Sequence, residues 1–229
     1  MKVSIIVPTL DEIHTIGELL NQVDQVDMGH EKEIIIVDGN SADGTRDVIE
    51  DFAKKRSYVK FIFEDKAEGK GRAVRRGIDE STGDVIIVQD GDLEVSPFEL
   101  PKLVEPIAKG EYEVVYGSRF LNGRGLTPIS SYIGNRVVTT LMNVLYLVRL
   151  TDIATCHKII KKSALNGIEL KARSFDFDSE ITARLLKKNI KIKELPIDYT
   201  PRTVKEGKKL RWSHGFRVVF SIIKNRFSH

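Results

Sequence analysis

The chain has 229 residues, of which 41% are hydrophobic, and its formal net charge is +3. This length and composition predict one large folded domain and exclude a disordered protein. A single cysteine, Cys156, excludes a disulfide framework and a cysteine-based metal cluster, so the composition indicates a reducing compartment, with the cytoplasm as the expected one.

Short β-branched runs alternate with amphipathic segments along the chain. In chain order the predicted strands are KVSIIVP, EIIIVDG, VKFIFE and DVIIVQD, and the helices predicted after them are IGELLNQV, TRDVIEDFAKK, GRAVRRGIDE and FELPKLVEPIA. Strands that are apolar on both faces and are each followed by a helix are typical of a parallel sheet covered on two sides. The sequence therefore predicts an α/β fold, with residues 1–200 as one domain and residues 201–229 as a tail.

Neither a signal peptide nor a transmembrane helix is predicted. The N-terminal run MKVSIIVPTLDE has one basic residue before a short apolar stretch that ends in a proline and two acids, unlike a signal peptide. The longest lipophilic region, residues 137–148, contains polar residues and is shorter than the roughly 20 residues of a spanning helix. These features favour a cytoplasmic protein.

Positive charge is concentrated in the tail. Residues 201–229 contain eight lysines and arginines against one acid, a net charge of +7, whereas residues 1–200 carry −4. Basic helices with an aromatic stripe favour the surface of an anionic membrane, and packing of the stripe on the body is the alternative. The tail stripe consists of Trp212, Phe216, Val219, Phe220, Ile223 and Phe227. A second stripe, which fits a core or an interface, consists of Ile133, Val137, Leu141, Leu145 and Val148.

Polar residues cluster where the predicted strands end. Ligands of such sheets bind beyond the carboxyl ends of the strands. Asp38 directly follows a buried β-branched run and is expected to have a partner, for which a nucleobase or a ribose hydroxyl is suitable. Lys70 lies in a glycine-flanked turn that enters a helix, where its ammonium group and the helix amides are suited to an anion.

The most informative cluster is QDGDLE, which follows the fourth strand. Asp90 and Asp92 are two positions apart, so both carboxylates can point to one side of an extended segment. Oxygen ligands without histidine or cysteine suit Mg²⁺ or Mn²⁺, whose coordination is usually completed by substrate phosphates. Glu94 is a further candidate ligand.

The order and spacing of six motifs resemble the family 2 glycosyltransferases, which share the GT-A fold, and within them the dolichyl-phosphate mannose or glucose synthases. The resemblance covers nearly the whole chain. Its motifs are VPTLDE, VDGNSADGT, GKGRAVRRG, QDGDLE, VVYGSRF and FDFDSEITARLLKKNIKIKELPIDYTPR.

This resemblance implies a role for individual residues. Asp90 and Asp92 would hold the divalent ion on the donor diphosphate, with Asp92 acting in catalysis, and Glu94 stands where the synthases commonly have a glutamine ligand. Arg119 would bind the phosphate of a lipid acceptor and is the second residue implied in catalysis. The residues implied in nucleotide-sugar binding are Pro8, Leu10, Glu12, Asp38, Lys70 and Asp90.

Two departures from the family pattern concern the acceptor side of the site. The second phosphate-binding cation of the synthases has no assigned counterpart here. The run TCHK places Cys156 and His157 where the family usually has small and aromatic residues, and His157 is interpreted as a packing substitute rather than a catalytic base, since it has no evident carboxylate partner.

The predicted function is an inverting transfer of a hexose from a nucleotide sugar, GDP-mannose or UDP-glucose, to polyprenyl or dolichyl phosphate at the inner face of the cell membrane. A lipid phosphate is already an anion, so transfer needs positioning and leaving-group stabilisation more than a base. A saccharide acceptor would need a carboxylate base, for which Asp176, Asp178 and Glu180 are candidates. The other alternative is a nucleotide-sugar-binding membrane-surface protein without turnover, and no nucleic-acid partner is expected.

Overall fold

The computed structural model describes residues 1–202 and 213–227, and it confirms the predicted alternation of strands and helices. The first half contains β1 (Lys2–Thr9), α1 (Ile16–Gln25), β2 (Glu31–Asp38), α2 (Thr45–Ala53), β3 (Val59–Phe63), α3 (Lys70–Glu80), β4 (Val85–Val88) and α4 (Leu100–Ala108). The second half contains β5 (Val114–Ser118), α5 (Ile129–Tyr146), β6 (Lys158–Lys161), α6 (Phe177–Lys187), β7 (Ile192–Pro196) and α7 (Ser213–Phe227).

These strands form one mostly parallel sheet in the order β3-β2-β1-β4-β6-β5-β7. β6 runs antiparallel to its neighbours β4 and β5, whereas β1, β2, β3 and β4 pair in parallel, as do β5 and β7. Because β6 is reversed, its first residues lie beside the carboxyl ends of the other strands. Lys158 and the preceding His157 therefore join the rim formed by the carboxyl ends of the other strands.

Burial along the strands follows their position in the sheet. The four residues of β4 and the last seven of β1 are all buried, as expected for strands covered on both faces. β3 departs from the prediction, because it is an edge strand and exposes Lys60 and Phe61.

Two glycines set the position of α3 against the sheet. A Cβ on Gly77 would lie 2.4 Å from Cγ2 of Ile6, so α3 approaches β1 more closely than any other residue would allow. Gly69 has a φ of +99°, and a Cβ there would lie 2.4 Å from the carbonyl oxygen of Arg173. These glycines place Lys70, the first residue of α3, at the rim.

The terminal helix α7 packs against α5 and α6. Its inward residues are Ser221, Ile222 and Asn225, and the Tyr146 hydroxyl donates to the carbonyl of Ile222 at 3.2 Å. The aromatic side chains predicted as a stripe lie on the outside: Phe216 is 83% exposed, Phe220 66% and Phe227 74%. This stripe therefore does not pack on the body, and Trp212 lies outside the described residues.

The second predicted stripe divides between surface and core. Ile133 and Val137 of α5 are more than half exposed, whereas Leu141, Leu145 and Val148 pack partly against the cluster around Met142 and Ile222. None of the helices among the described residues is long and apolar enough to cross a bilayer.

The buried carboxylate of Glu33 lies near the start of β2, at the end of the sheet opposite the rim. Glu33 accepts hydrogen bonds from the Ser4 hydroxyl at 2.7 Å and from the Thr82 amide at 2.6 Å, and Nζ of Lys2 and Lys60 lie 3.3 and 3.4 Å away. Burial by itself would raise the pKa of Glu33, but these donors lower it from 4.5 to about 2. The ionised carboxylate therefore stabilises the folded state.

We expect the stability contributed by Glu33 to be lost in acid. A folded-state pKa below the unfolded value gives stability that is complete above pH 4.5 and disappears as the pH falls towards 2. The free energy of unfolding of Glu33→Gln, measured by urea titration, should be on the order of 3 kcal/mol below that of the parent at pH 7 and should approach it near pH 2. The exposed neighbour Glu31 provides the control, since Glu31→Gln should leave stability unchanged. An equal difference at both pH values would contradict the assignment.

Candidate active site

The predicted site residues meet at the rim formed by the carboxyl ends of the strands. Pro8 is the last residue but one of β1, and Asp38 is the last residue of β2. Leu10 and Glu12 follow β1. The DGD motif, Asp90-Gly91-Asp92, follows β4, while Lys70 begins α3 and Arg119 follows β5. One edge of the sheet thus carries every residue that the sequence singles out for donor, metal and acceptor.

Asp38 has its partners within the chain. Its carboxylate is fully buried and accepts hydrogen bonds from the amides of Asn40 and Ser41 at 3.1 and 3.0 Å, from the Ser41 hydroxyl, and from Nε of Arg46 at 2.6 Å. Arg46 also donates to the carbonyl of Glu64 at 2.6 Å. The partner expected for this acid is therefore Arg46 and the turn after β2, and a contact between Asp38 and a nucleoside stays a prediction.

The first carboxylate of the DGD motif is paired with Lys70. Nζ of Lys70 lies 2.7 Å from Oδ1 and 2.8 Å from Oδ2 of Asp90. Burial would lower the pKa of Lys70, but the attraction of Asp90 and Asp178 outweighs it and raises that pKa, so the lysine is a cation. A fixed positive charge therefore stands beside Asp90 at the N-terminus of α3.

The second carboxylate lies in a bridge made by Arg202. The guanidinium donates to Glu12 through Nη1 at 2.8 Å and to Asp92 through Nη2 at 3.1 Å. Burial, followed by the nearby charges of Asp90 and Glu94, raises the pKa of Asp92 from 3.8 to about 7. Negative charge is thus in excess around Asp92 even with Arg202 in place. Arg202 ends the last of the six family motifs and counts among the basic residues of the tail, but its sequence context predicts no role in the site.

Hydrogen bonds to Glu94 join the segment after β7 to the loop that carries the DGD motif. Its carboxylate accepts hydrogen bonds from the Tyr199 hydroxyl at 3.1 Å and the Arg202 amide at 2.8 Å, and its carbonyl accepts one from the Thr200 amide at 2.9 Å. This carboxylate is therefore engaged in holding residues 199–202, and its role as a metal ligand stays a prediction.

The donor set of the rim is suited to a divalent cation of the Mg²⁺ or Mn²⁺ type. Asp90 and Asp92 supply carboxylate oxygens, the ligands that such ions prefer. Burial, and after it the charges of Asp90 and Glu94, raises the pKa of Asp92, and a bound cation would oppose that shift. Residues 1–202 and 213–227 contain no group of three or more His, Cys, Asp or Glu side chains placed to hold a metal by themselves. The predicted trio of Asp90, Asp92 and Glu94 is therefore not a preformed cage.

Arg119 is held by a buried ion pair that the sequence does not predict. Its Nε and Nη2 donate to the two carboxylate oxygens of Asp152 at 2.7 and 2.8 Å, and the Asn135 amide donates to the same carboxylate at 2.8 Å. Burial would raise the pKa of Asp152, but Arg119 lowers it overall, so the pair is ionic. The guanidinium also lies 5.1 Å from the ring centre of Tyr199. Arg119 is thereby fixed between Asp152 and the segment after β7.

Gln89 and His157 support the loop that carries the DGD motif. The Gln89 amide donates to the carbonyls of Asp90 and Val95 at 3.2 and 3.1 Å, and its oxygen lies 2.7 Å from Nε2 of His157. Burial, with the charges of Lys102, Lys70 and Arg119, lowers the pKa of His157 to about 3. His157 is therefore a neutral supporting group, in agreement with its interpretation as a packing residue.

The candidate general bases at the start of α6 and just before it are engaged in structural contacts. Asp178 pairs with the buried Lys158 at 2.7 Å, and Glu180 accepts from the amides of Lys171 and Ala172 at 2.9 and 2.7 Å. Asp176 accepts from the Ser174 amide at 3.1 Å. These contacts stabilise the segment around α6 and leave the base role a prediction.

Comparison with known proteins identifies the family. The family model described as glycosyl transferase family 2 matches residues 4–168. The chain belongs to glycosyl transferase family 2. The motifs that carry most of the site described above, from VPTLDE to TCHK, lie within the matched residues of this family 2 chain, whereas Arg202 lies beyond them.

Similar proteins include two archaeal glycosyltransferases. A dolichol-phosphate mannosyltransferase of Pyrococcus furiosus is 32% identical over 215 residues, which are 91% of this family 2 chain and 59% of that protein. Glycosyltransferase AglJ of Haloferax volcanii is 27% identical over 87% of this chain and 63% of its own length. The chain thus spans about three-fifths of the length of these relatives.

Solved structures share the fold at low identity. The glucosyl-3-phosphoglycerate synthase of Mycobacterium tuberculosis, in complex with Mn²⁺, UDP and phosphoglyceric acid, matches with a TM-score of 0.77 at 17% identity, over 100% of this chain and 79% of that one. A complex of the same synthase with Mg²⁺ and UDP matches with a TM-score of 0.74, also at 17% identity, over 98% of this chain and 79% of that one. The GT-A fold expected for this family 2 chain is thereby confirmed.

Proposed function

We propose that the protein is an inverting, Mg²⁺- or Mn²⁺-dependent glycosyltransferase that moves a hexose from a nucleotide sugar to a polyprenyl or dolichyl phosphate. The observation that carries the proposal is the convergence of Asp90, Asp92, Lys70 and Arg202 on the same rim as Arg119. Carboxylates for a divalent ion and cations for phosphates are the groups needed to bind a nucleotide sugar beside an anionic acceptor. The mannosyltransferase of P. furiosus, at 32% identity, supports the same substrate classes.

The donor half of the site is assigned from its charges. Asp90 and Asp92 would hold the divalent ion, which would stabilise the negative charge that develops on the leaving diphosphate. Lys70 and Arg202 would exchange their carboxylate partners for diphosphate oxygens when the donor binds. Pro8, Leu10, Glu12 and Asp38 stand at the ends of β1 and β2, on the side of the rim expected to receive the nucleoside.

The acceptor half depends on Arg119, which would bind the acceptor phosphate. A phosphate acceptor needs no deprotonation before it attacks the sugar carbon, so the protein has to orient two bound substrates and exclude water. The structural engagement of Asp176, Asp178 and Glu180 favours this acceptor over a sugar hydroxyl, which would require a base.

The exposed apolar residues of α5 and α7 support docking on an anionic membrane surface. The two helices pack side by side, and Arg217, Lys224 and Arg226 accompany the exposed phenylalanines of α7. A lipid-linked phosphate cannot leave the bilayer surface, so an enzyme acting on it has to remain there. Apolar side chains exposed on α5 are Ile129, Ile133, Val137 and Val144.

We expect the exposed phenylalanines of α7 to mediate vesicle binding. The triple variant Phe216→Ser/Phe220→Ser/Phe227→Ser should bind anionic vesicles at least about tenfold more weakly, since burying one such ring contributes on the order of 1.5–3 kcal/mol. Its fold should be retained, because all three rings are exposed. This test is sharper than deletion of α7, which would also remove the buried Ile222.

Co-sedimentation with vesicles at low and high salt provides the measurement. Phe98→Ser is the matched control, because Phe98 is 56% exposed just before α4, away from α5 and α7. Binding by the parent should fall with salt, as electrostatic attraction to lipid headgroups does. Undiminished binding by the triple variant would exclude the membrane role of α7.

A donor screen tests the proposed function as a whole. GDP-mannose, UDP-glucose and related nucleotide sugars would each be incubated with a polyprenyl phosphate and Mn²⁺ or Mg²⁺, and released nucleoside diphosphate and glycosylated lipid would be measured. Formation of the glycosylated lipid from one donor supports the proposal. Transfer to a saccharide alone favours the second enzyme function, and donor binding without transfer to any acceptor favours a binding protein.

A further inference from the structure

Helix α5 buries polar side chains and exposes apolar ones, the reverse of an ordinary surface helix. Asn135 and Thr139, four positions apart, are buried, whereas Ile133 and Val137, also four positions apart, are more than half exposed. Because an α-helix turns once in 3.6 residues, the two pairs lie on opposite faces of α5. The function proposed above accounts for the exposed face and leaves the buried polar face without a role.

The buried pair belongs to a chain of hydrogen bonds that ends at Arg119. The Thr139 hydroxyl donates to the side-chain oxygen of Asn135 at 3.0 Å, and the Asn135 amide donates to Asp152 at 2.8 Å. Asp152 in turn accepts from Nε and Nη2 of Arg119 at 2.7 and 2.8 Å. Because the Asn135 oxygen accepts from Thr139, the NH₂ group of the same amide is directed at Asp152. Each member of the chain therefore orients the next, and the last one oriented is the guanidinium.

The same helix holds the backbone on both sides of Asp152. The amide of Ile153 donates to the Thr139 hydroxyl at 3.4 Å. Asn143, one turn further along α5, donates to the carbonyl of Leu150 at 2.8 Å and accepts from its amide at 2.9 Å. Any movement of α5 would therefore reach Asp152 through its own side chain and through its flanking backbone.

The apolar anchoring of α5 lies in its second half. The residues of α5 that share a cluster with α7 begin at Val138. In the first half the ring of Tyr132 lies edge-on to Phe120, the residue after Arg119, with 5.1 Å between ring centres. Docking of the exposed apolar face on a membrane would restrain the half of the helix that carries Asn135.

We propose that Asn135 and Thr139 are positioning residues of Arg119, and that docking of α5 on a membrane surface strengthens their hold and thereby the binding of the acceptor phosphate. The inference rests on the proposed function, which supplies the phosphate and the membrane. A restrained helix reduces the freedom that the guanidinium loses on binding, and preorganised groups bind more tightly. The enzyme would then favour an acceptor in the bilayer over the same phosphate ester in solution.

Substitutions in the hydrogen-bonded chain test the positioning role. Thr139→Val removes the hydroxyl at nearly constant volume and should raise the KM for a five-carbon isoprenyl phosphate about tenfold, equivalent to 1.4 kcal/mol, while the KM for the nucleotide sugar stays within twofold. Asn135→Leu, which removes the donor to Asp152, should do the same. Thr139→Ser keeps the hydroxyl and should have an acceptor KM within twofold of the parent.

Thr140→Val is the matched control, because it makes the same change at an exposed position of the same helix. Its acceptor KM, measured without vesicles, should equal that of the parent. A purely structural hydroxyl at position 139 would lower Tm in Thr139→Val and leave the acceptor KM unchanged, and that result would overturn the positioning role.

Vesicles that contain no acceptor test the coupling to docking. A five-carbon isoprenyl phosphate stays in water, so vesicles of phosphatidylserine and phosphatidylcholine can change its KM only through the protein. That KM should fall about fivefold when the parent is docked, and it should not respond in Thr139→Val or in Ile133→Ser/Val137→Ser. An unchanged KM for the parent, with the protein co-sedimenting with the vesicles, would overturn the coupling.

Hydrogen exchange separates this inference from the proposed function, because it requires neither donor nor acceptor. The amides of Ile153 and Arg119 donate to Thr139 and Asp152, so docking should slow the exchange of the peptides that contain them about fivefold in the parent. Slower exchange in a parent that transfers no sugar upholds the coupling and overturns the proposed function. Unchanged exchange in a vesicle-bound parent that glycosylates lipid phosphate overturns the coupling alone.

Discussion

Replacement of Asp92 by asparagine should lower sugar transfer by on the order of 100–1000-fold, the usual cost of removing one preorganised electrostatic group. Asparagine keeps an oxygen that can accept from the Glu94 amide, as Asp92 does at 3.1 Å, so the loop should retain its shape. It lacks the charge that would hold a divalent ion against the diphosphate. Released nucleoside diphosphate would be measured across a range of Mg²⁺ and Mn²⁺ concentrations, with circular dichroism as the check of folding.

Asp51→Asn is the matched control for this experiment. Asp51 lies on α2, is 75% exposed and pairs with Lys54, so its loss should leave transfer unchanged. Activity of Asp92→Asn within a few-fold of the parent, at any metal concentration, would refute the assignment of the DGD motif to the metal.

Replacement of Arg119 by methionine should affect stability and catalysis together. The change leaves the carboxylate of Asp152 fully buried with only the Asn135 amide and a backbone amide as donors. Breaking a buried ion pair in this way typically costs 3–5 kcal/mol, so the loss of transfer by the single variant would mix unfolding with a lost substrate contact. Urea titration should show the loss of stability directly.

The double variant Arg119→Met/Asp152→Asn separates the two effects. Removing the unpaired charge should restore part of the lost stability, because the two side chains interact directly. Transfer should remain at least about 100-fold below the parent, and the affinity for the nucleotide sugar should remain close to the parental value. Recovery of transfer in the double variant would show that Arg119 serves the fold and not the acceptor.

Much of the fold was predictable, because it is encoded locally. β1, β2 and β4 each contain a run of β-branched residues, and the helix after each of them has an apolar face. The direction of β6 was not predictable in this way, since KIIK has the composition of any buried strand and its orientation depends on the long connection from β5. For α7 the spacing of apolar residues predicts the helical period but not which face turns inward.

The site was predictable where a motif holds its residues together, as in QDGDLE and GSRF. Its long-range partners were missed: Arg202 is 110 positions after Asp92, and Asp152 is 33 positions after Arg119. A usable signal existed for Arg202, because it follows the end of β7 and the carboxyl ends of parallel strands share one edge. Glu33 carried no such signal, since the first residues of a strand often bear exposed charge.

The Glu33 cluster has a consequence for engineering. Glu33 lies near the start of β2, and the site residue Asp38 ends that strand five positions later, so roughly 17 Å of strand separates them. Substitutions at that distant edge can therefore be selected for heat or acid tolerance with little effect on substrate contacts. The usual trade-off between stability and activity should be weak there. Libraries that aim at a more stable enzyme are therefore best confined to the residues around Glu33.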